Sequence, residues 1–150
     1  MESLDLRVLA DALQWRRAGH AVTLVTVVET WGSAPRPPGA LLAVRDDGLV
    51  SGSVSGGCVE DDLIAQTRAA LQDSSVTPTP ELQRPSMLAY GVSKEEAARF
   101  GLPCGGTLRL VREPLLDVAW IEELLDRTAR HGIVARQLTL ATGVVRLLPA

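Results

Sequence analysis

The chain of 150 residues is 46% hydrophobic and 22% charged, which is ordinary for a globular protein with one core-forming domain. Its net charge of −3 and aromatic content of 3% argue against a nucleic-acid-binding surface, and no apolar run reaches the roughly 20 residues that a membrane helix needs. Two cysteines and a start without a basic export signal predict a cytoplasmic protein with reduced thiols, although a disulfide between Cys58 and Cys104 stays open.

The first fifth of the chain is predicted to form a helix followed by a buried strand. Over residues 3–18 the apolar side chains recur on one helical face, and Gly19 is a suitable residue to end the helix. The β-branched run over residues 21–30 is too apolar to alternate, so it predicts a central strand that is covered on both faces.

A stiff loop follows over residues 31–40. Its three prolines and two glycines exclude a helix or a central strand. The loop carries one cation, Arg36, with Ser33 nearby, and arginine suits bidentate phosphate recognition. A solvated arginine on a stiff connector is the plainer interpretation of the same residues.

A hairpin places a second glycine-rich loop near the first. Strands over 41–45 and 49–51 flank the turn Asp46-Asp47-Gly48. Because a hairpin returns to the end of the sheet from which it started, we expect Ser33–Gly39 and Gly52–Cys58 to face one cleft.

Cys58 lies between a Gly/Ser loop and a predicted helix over residues 58–71. The N-terminus of a helix favours anions and lowers the pKa of a thiol placed there. A phosphate-bearing ligand beside a reactive thiol is therefore one interpretation, and a buried core cysteine in a tight loop is the other. Glu60, Asp61 and Asp62 bring negative charge close to Cys58 and weaken the first interpretation.

The second half of the chain alternates strands and helices around a second cysteine loop, in which Gly105 and Gly106 follow Cys104. Together with the first half it predicts an α/β fold: a single domain with a mixed sheet of about six strands and three main helices. The further predicted elements are an edge strand over 87–90, a short helix over 93–100, a strand over 108–112, a helix over 117–130, and strands over 133–140 and 144–148.

Four blocks of sequence resemble the XdhC/CoxI family, the accessory proteins for maturation of xanthine and carbon monoxide dehydrogenases. The blocks follow one another in order over most of residues 20–115, which makes the resemblance specific. They are Glu29-Thr30-Trp31-Gly32-Ser33-Ala34-Pro35-Arg36-Pro37-Pro38-Gly39-Ala40, Gly52-Ser53-Val54-Ser55-Gly56-Gly57-Cys58-Val59-Glu60, Tyr90-Gly91-Val92-Ser93 and Gly101-Leu102-Pro103-Cys104-Gly105-Gly106-Thr107.

The resemblance implies a molybdenum cofactor chaperone, more an accessory protein than an enzyme. It implies an apo molybdenum hydroxylase as partner, together with a cysteine desulfurase, and it makes Cys58 the first choice for a thiol that contacts molybdenum through the cofactor, ahead of Cys104. Many family members carry a second, Rossmann-like domain after this one, and we expect it to be absent here. The cofactor-binding residues that we expect are Ser33, Arg36, Gly39, Ser53, Ser55, Gly56, Gly57, Cys58, Cys104, Gly105 and Gly106.

Two other functions compete with the chaperone at this point. A sulfurtransferase would carry a persulfide on Cys58 and needs an accessible thiol of low pKa. A structural partner module would use both glycine loops as protein contacts. A homodimer through exposed sheet edges is also open, with no particular residue to argue for it.

Overall fold

The residues that the structure describes form three helices and seven strands. The structure is a computed structural model and describes residues 3–31, 36–54, 59–72, 84–90 and 107–149. The helices are α1 (Ser3–Arg17), α2 (Glu60–Gln72) and α3 (Ala119–Ala129). The strands are β1 (Val22–Trp31), β2 (Leu41–Arg45), β3 (Val50–Gly52), β4 (Ser86–Tyr90), β5 (Thr107–Pro114), β6 (Val134–Leu138) and β7 (Val145–Pro149).

Five of the strands form one sheet in the order β3-β2-β1-β5-β4, and each neighbouring pair is antiparallel. β1 lies at the centre, as its continuous apolar run predicts. β6 and β7 form a separate antiparallel hairpin.

The helices cover both faces of the five-stranded sheet. Alternate residues of β1 point to opposite faces: Val25 and Val27 pack in a cluster with α2, whereas Val22 and Leu24 pack with α1 and α3. The hairpin of β6 and β7 joins the α1/α3 face, where Val145 and Leu147 contact the cluster. Two apolar layers therefore share β1.

The predicted α/β class and the three helices are confirmed, but the strands are arranged differently from one mixed sheet of about six. Every pairing between described strands is antiparallel, and the strands divide into sheets of five and two. The reason lies in the connection through α2, which leads from β3 at one edge to β4 at the other. These two strands point the same way but are never neighbours, so no parallel pair forms. The short helix predicted over 93–100 lies outside the described residues.

None of the described helices is long and apolar enough to cross a membrane.

Candidate functional site

Five strand ends meet along one edge of the main sheet. β1 and β4 end there at Trp31 and Tyr90, where they pair with Thr107 and Leu108 at the start of β5. β3 ends at Gly52, which pairs with Leu42 near the start of β2. We call this line of strand ends (Trp31, Leu41, Gly52, Tyr90, Thr107) the motif edge. Most of the predicted site residues lie in segments 32–35, 55–58 and 91–106. Segment 32–35 follows Trp31, and segment 91–106 connects Tyr90 to Thr107. Segment 55–58 begins three residues after Gly52 and is followed by Val59, which precedes α2.

Most of the predicted site residues lie outside the described part of the chain: Ser33, Ser55, Gly56, Gly57, Cys58, Cys104, Gly105 and Gly106. Arg36, Gly39 and Ser53 are described, and the peptide of Leu41 connects their two loops. The Leu41 N–H donates to Asp5 Oδ1, which Arg36 also binds, and the Leu41 carbonyl accepts from the Ser53 N–H at 3.1 Å. The described parts of the two loops, residues 36–40 and 53–54, thus lie side by side, and the rest of the predicted cleft lies outside the described residues.

Arg36 is held by a carboxylate on α1. Its Nη2 lies 3.1 Å from Asp5 Oδ1, and their side chains are 13% and 5% exposed. The same oxygen accepts the Leu41 N–H at 3.0 Å. This ion pair fixes the end of the proline-rich loop against α1 and offsets the charge that a phosphate would meet at Arg36.

The loop after β3 is fastened to α2 by Glu60. Glu60 is buried, and its Oε1 accepts the Val54 N–H at 2.8 Å and the Ser53 hydroxyl at 3.3 Å. A backbone N–H of the kind that could bind an anion is therefore already paired with a carboxylate. The arrangement holds the loop at a fixed distance from the first turn of α2.

The backbone conformation at Gly39 and Gly52 favours glycine, because their φ angles are 95° and 93°. These left-handed angles disfavour residues with a Cβ. At Gly39 they allow its N–H to reach the Val27 carbonyl at 2.7 Å, so the proline-rich loop returns onto β1.

Tyr90 and Asp62 connect β4 to the first turn of α2. The Tyr90 hydroxyl donates to Asp62 Oδ2 at 2.7 Å, and Gln66 Nε2 donates to the same oxygen at 2.8 Å. Arg112 on β5 extends the network by donating to Gln66 at 3.3 Å. Burial, followed by the hydrogen bond to Asp62, raises the pKa of Tyr90 well above its ordinary value. The phenol therefore stays protonated and remains a donor at neutral pH.

The sequence did not predict three residues as site elements: Tyr90 at the motif edge, and Asp5 and Glu60, which bind backbone N–H groups beside it. The pattern placed Asp5 and Glu60 only near the starts of predicted helices, and Tyr90 only in an edge strand and in the third of the four sequence blocks. The available signal was an acidic residue at the start of each helix that borders the candidate loops. Their partners are 6 to 36 residues away in sequence, and no local pattern identifies them.

Two cavities lie on the side of the sheet that the hairpin covers. One of about 250 Å³ lies between Trp120, Pro114 and Val144, and one of about 400 Å³ lies between Val111 and Leu138. Neither is lined by a described residue of the predicted site. Within the described residues, no group of three or more His, Cys, Asp and Glu side chains is arranged to hold a metal ion.

Comparison with known proteins gives a consistent set of matches. The chain is 31% identical over 129 residues to the molybdenum cofactor insertion chaperone PaoD of Escherichia coli K12, which covers 80% of this chain and 35% of PaoD. It is 25% identical over 103 residues to the uncharacterized protein YqeB of the same organism, covering 69% of this chain and 17% of YqeB. The chain thus spans about a third of PaoD and less of YqeB.

A solved structure shares the fold. The chain matches a xanthine dehydrogenase structure from Bacillus halodurans with a TM-score of 0.69 and 23% identity, over 97% of this chain and 42% of that one. The model of the XdhC and CoxI family matches residues 15–79, which contain the hairpin and both loops that flank it. The chain is thus similar to the XdhC and CoxI family over residues 15–79, and its similarity to PaoD extends over 129 residues.

Proposed function

We propose that the chain binds the molybdenum cofactor at the motif edge as cargo and delivers it to an apo molybdenum hydroxylase of the xanthine or carbon monoxide dehydrogenase type. In this proposal the protein is an accessory factor without turnover of its own. The match of residues 15–79 to the XdhC and CoxI family and the similarity to PaoD, a molybdenum cofactor insertion chaperone, support it.

The observation that carries the proposal is the convergence of the strand ends. Trp31, Gly52, Tyr90 and Thr107 all lie at the motif edge, although they come from positions up to 76 residues apart. Both glycine-cysteine motifs are therefore joined to the same side of the sheet. A ligand that bridges the two motifs needs this arrangement, whereas two unrelated turns do not.

The described residues fit the chemistry of the cofactor in part. Arg36 and the Ser53 hydroxyl suit the phosphate, but Glu60, Asp61 and Asp62 make the first turn of α2 unfavourable for a second negative charge. Carboxylates accept hydrogen bonds from N–H groups, which the pterin ring system offers. We therefore expect the phosphate on the side of Arg36 and the pterin on the side of α2, with molybdenum, which accepts thiolate ligands, taking one from Cys58.

The chaperone also has to release its cargo, which the charge at the motif edge favours. Asp5 partly neutralises the charge of Arg36, which weakens the attraction between Arg36 and the phosphate, and the carboxylates of α2 repel the phosphate. We expect moderate affinity, consistent with transfer to the hydroxylase. Sulfuration of the bound cofactor by a cysteine desulfurase is part of the proposal, with Cys104 as the second thiol beside the cofactor.

Titration of the purified protein with molybdenum cofactor tests the proposal, under reducing and anaerobic conditions with bound pterin as the readout. We expect saturable binding by the wild type and at least about tenfold weaker binding by Cys58→Ala, the loss of roughly one strong contact. Arg36→Ala should weaken binding less, because Asp5 already engages that side chain. Arg146→Ala, which removes an exposed arginine from β7, is the matched control and should bind like the wild type.

A wild-type protein that binds no form of the cofactor would contradict the proposal. The structural partner module would then lead. Incubation with a cysteine desulfurase distinguishes the sulfurtransferase, since a persulfide on Cys58 without bound cofactor would favour that function instead.

A further inference from the structure

The larger of the two cavities lies between the main sheet and the hairpin of β6 and β7. Its floor is formed by neighbouring strands, because Met87 on β4 pairs with Val111 on β5, which in turn pairs with Thr26 on β1. Leu138 and Leu140 of the hairpin lie on the other side. The volume of about 400 Å³ falls in the range of cavities that hold small ligands.

Arg136 separates the hairpin from the sheet at this cavity. From β6 its side chain reaches the sheet, where Nη2 donates to the Thr26 hydroxyl at 3.2 Å and Nη1 donates to Glu113 Oε1 at 2.6 Å. Leu138 lies two residues further along β6 and is shorter than an arginine. The space between Leu138 and Val111 is therefore left unfilled by their side chains and forms part of the cavity.

A bulge in β1 brings two consecutive residues to the wall of the cavity. The register between β1 and β5 shifts between Val27 and Glu29, so Val28 is the extra residue. Consecutive residues of a regular strand point to opposite faces of the sheet, yet Val28 and Glu29 both line this cavity. Bulges are common beside active sites, where they change the direction of a side chain.

The charges around the cavity are balanced. Arg136 is paired with Glu113, and their side chains are 16% and 4% exposed. Glu29 on the wall lies 3.4 Å from Arg109. An anion would meet an arginine that a buried carboxylate already neutralises, and the Glu29 carboxylate besides, whereas a cation would meet the Arg136 guanidinium. The cavity therefore suits an uncharged ligand.

The cavity nevertheless offers hydrogen-bond donors. A guanidinium carries five N–H groups, and among the described residues the hydrogen-bond partners of Arg136 are Glu113 and Thr26. The Thr26 hydroxyl accepts from Arg136, so within the described part of the chain its own proton is available for donation. Because Arg136 and Thr26 both line the cavity, an oxygen acceptor on a ligand complements them.

We propose that this cavity binds an uncharged, largely apolar small molecule whose carbonyl oxygen accepts hydrogen bonds from Arg136 and Thr26. The apolar body of the ligand lies between Val111 and Leu138, with Met87 at the rim. The site goes beyond the proposed function, because no residue of the motif edge lines it, and each site can exist without the other.

Fluorescence titration of the purified protein with Prodan tests the cavity. Prodan is an uncharged naphthyl ketone whose emission moves to shorter wavelength in apolar surroundings. We expect saturable binding by the wild type at one site per chain, with this shift. Val28→Phe, which fills the cavity from the floor, should bind at least about tenfold more weakly. Val144→Phe is the matched control, because Val144 lines the smaller cavity, and it should bind like the wild type.

Three competitors that differ in one substituent test the chemistry of the ligand. Methyl naphthyl ketone, naphthoate and isopropenylnaphthalene carry a carbonyl, a carboxylate and a hydrocarbon group of similar shape at the same ring position. We expect the ketone to displace Prodan at about tenfold lower concentration than the other two. The hydrocarbon lacks the acceptor for Arg136, and the carboxylate adds a charge that Glu113 and Glu29 repel.

Circular dichroism establishes that each variant is folded. If Val28→Phe does not fold, Met87→Trp narrows the same cavity from a position that is 39% exposed, and the same weaker binding is expected of it. A wild type without saturable Prodan binding, or a folded cavity-filling variant that binds like the wild type, would overturn the site. Naphthoate that displaces Prodan as well as the ketone does would contradict the assignment of an uncharged ligand.

Discussion

Gly52 and Gly39 share a left-handed backbone but differ in their surroundings. A Cβ at Gly52 would lie 2.2 Å from the Leu41 carbonyl oxygen and 2.5 Å from Val8 Cγ2. A Cβ at Gly39 would meet no atom of the described residues within 4 Å. We expect Gly52→Ala to lower the free energy of unfolding by at least about 3 kcal/mol, because steric overlap adds to backbone strain, and Gly39→Ala by about 1 kcal/mol from strain alone.

Urea unfolding of the two alanine variants, followed by circular dichroism, measures this difference. Each glycine is the control for the other, since the φ angles agree within 2°. Equal losses of stability at the two positions would contradict the steric argument.

Tyr90 is the chain's one tyrosine, so its ionisation can be followed directly. Burial and the Asp62 carboxylate raise its pKa in the folded protein. Because the folded state holds the proton more tightly, the resulting stabilisation is complete below the unfolded pKa of about 10 and is lost as the pH rises above it. We expect phenolate absorbance to titrate near pH 10 in urea and at higher pH in the native protein.

The native titration has to be recorded while circular dichroism still reports a folded chain. Tyr90→Phe, which has no phenol, supplies the baseline. A native midpoint equal to the midpoint in urea would mean that the phenol is solvated and that the bond to Asp62 is absent.

The hairpin of β6 and β7 is attached to the rest of the fold through Arg136. Its Nη1 lies 2.6 Å from Glu113 Oε1, Nη2 donates to the Thr26 hydroxyl at 3.2 Å, and its Cζ lies 4.6 Å from the Trp120 ring centroid. Arg136→Ala leaves the Glu113 carboxylate buried without this partner, so we expect a loss of about 3 kcal/mol in the free energy of unfolding. Arg136→Lys should recover only part of it, because an ammonium lacks the planar fork that contacts all three groups.

Arg146→Ala on the neighbouring strand is the matched control, since Arg146 is exposed and pairs through its backbone with Gln137. We expect the free energy of unfolding of this variant to lie within about 0.5 kcal/mol of the wild-type value. If Arg136→Ala unfolds at the same urea concentration as Arg146→Ala, the hairpin is held by its apolar contacts and not by the arginine.

At the scale of the whole molecule, the two apolar clusters share β1 and should unfold together. Leu63 on α2 is fully buried in one cluster, whereas Trp15 and Trp120 belong to the other. We expect Leu63→Ala to lower the free energy of unfolding by about 3 kcal/mol. Its tryptophan fluorescence and circular dichroism transitions should shift by the same amount, because the sheet transmits the loss to both faces.

Leu9→Ala, on the α1 side of the same sheet, provides the converse test. It should shift both signals as Leu63→Ala does. A fluorescence transition that stays at the wild-type urea concentration in Leu63→Ala would show that the faces unfold independently.

The sequence by itself determined the local elements and their order. Continuous β-branched character identified β1 as central, helical spacing identified α1, α2 and α3, and the Asp46-Asp47-Gly48 turn identified the β2–β3 hairpin. The sequence also predicted that Arg36 and Ser53 lie at the same end of that hairpin. These features were predictable because periodicity and turn chemistry act over a few residues, within the range that a sequence pattern records.

The tertiary structure decided which polar groups meet and how the strands are shared between two sheets. The Arg36 guanidinium suits a phosphate ligand, yet it forms an ion pair with Asp5 on α1. Tyr90 forms a hydrogen bond with Asp62, which lies 28 residues earlier in the chain. Such partners depend on register, helix rotation and burial, which are set by the packing of distant segments against β1. Burial then strengthens each polar contact, because the electrostatic attraction between two charges is stronger in the low-dielectric interior than in water.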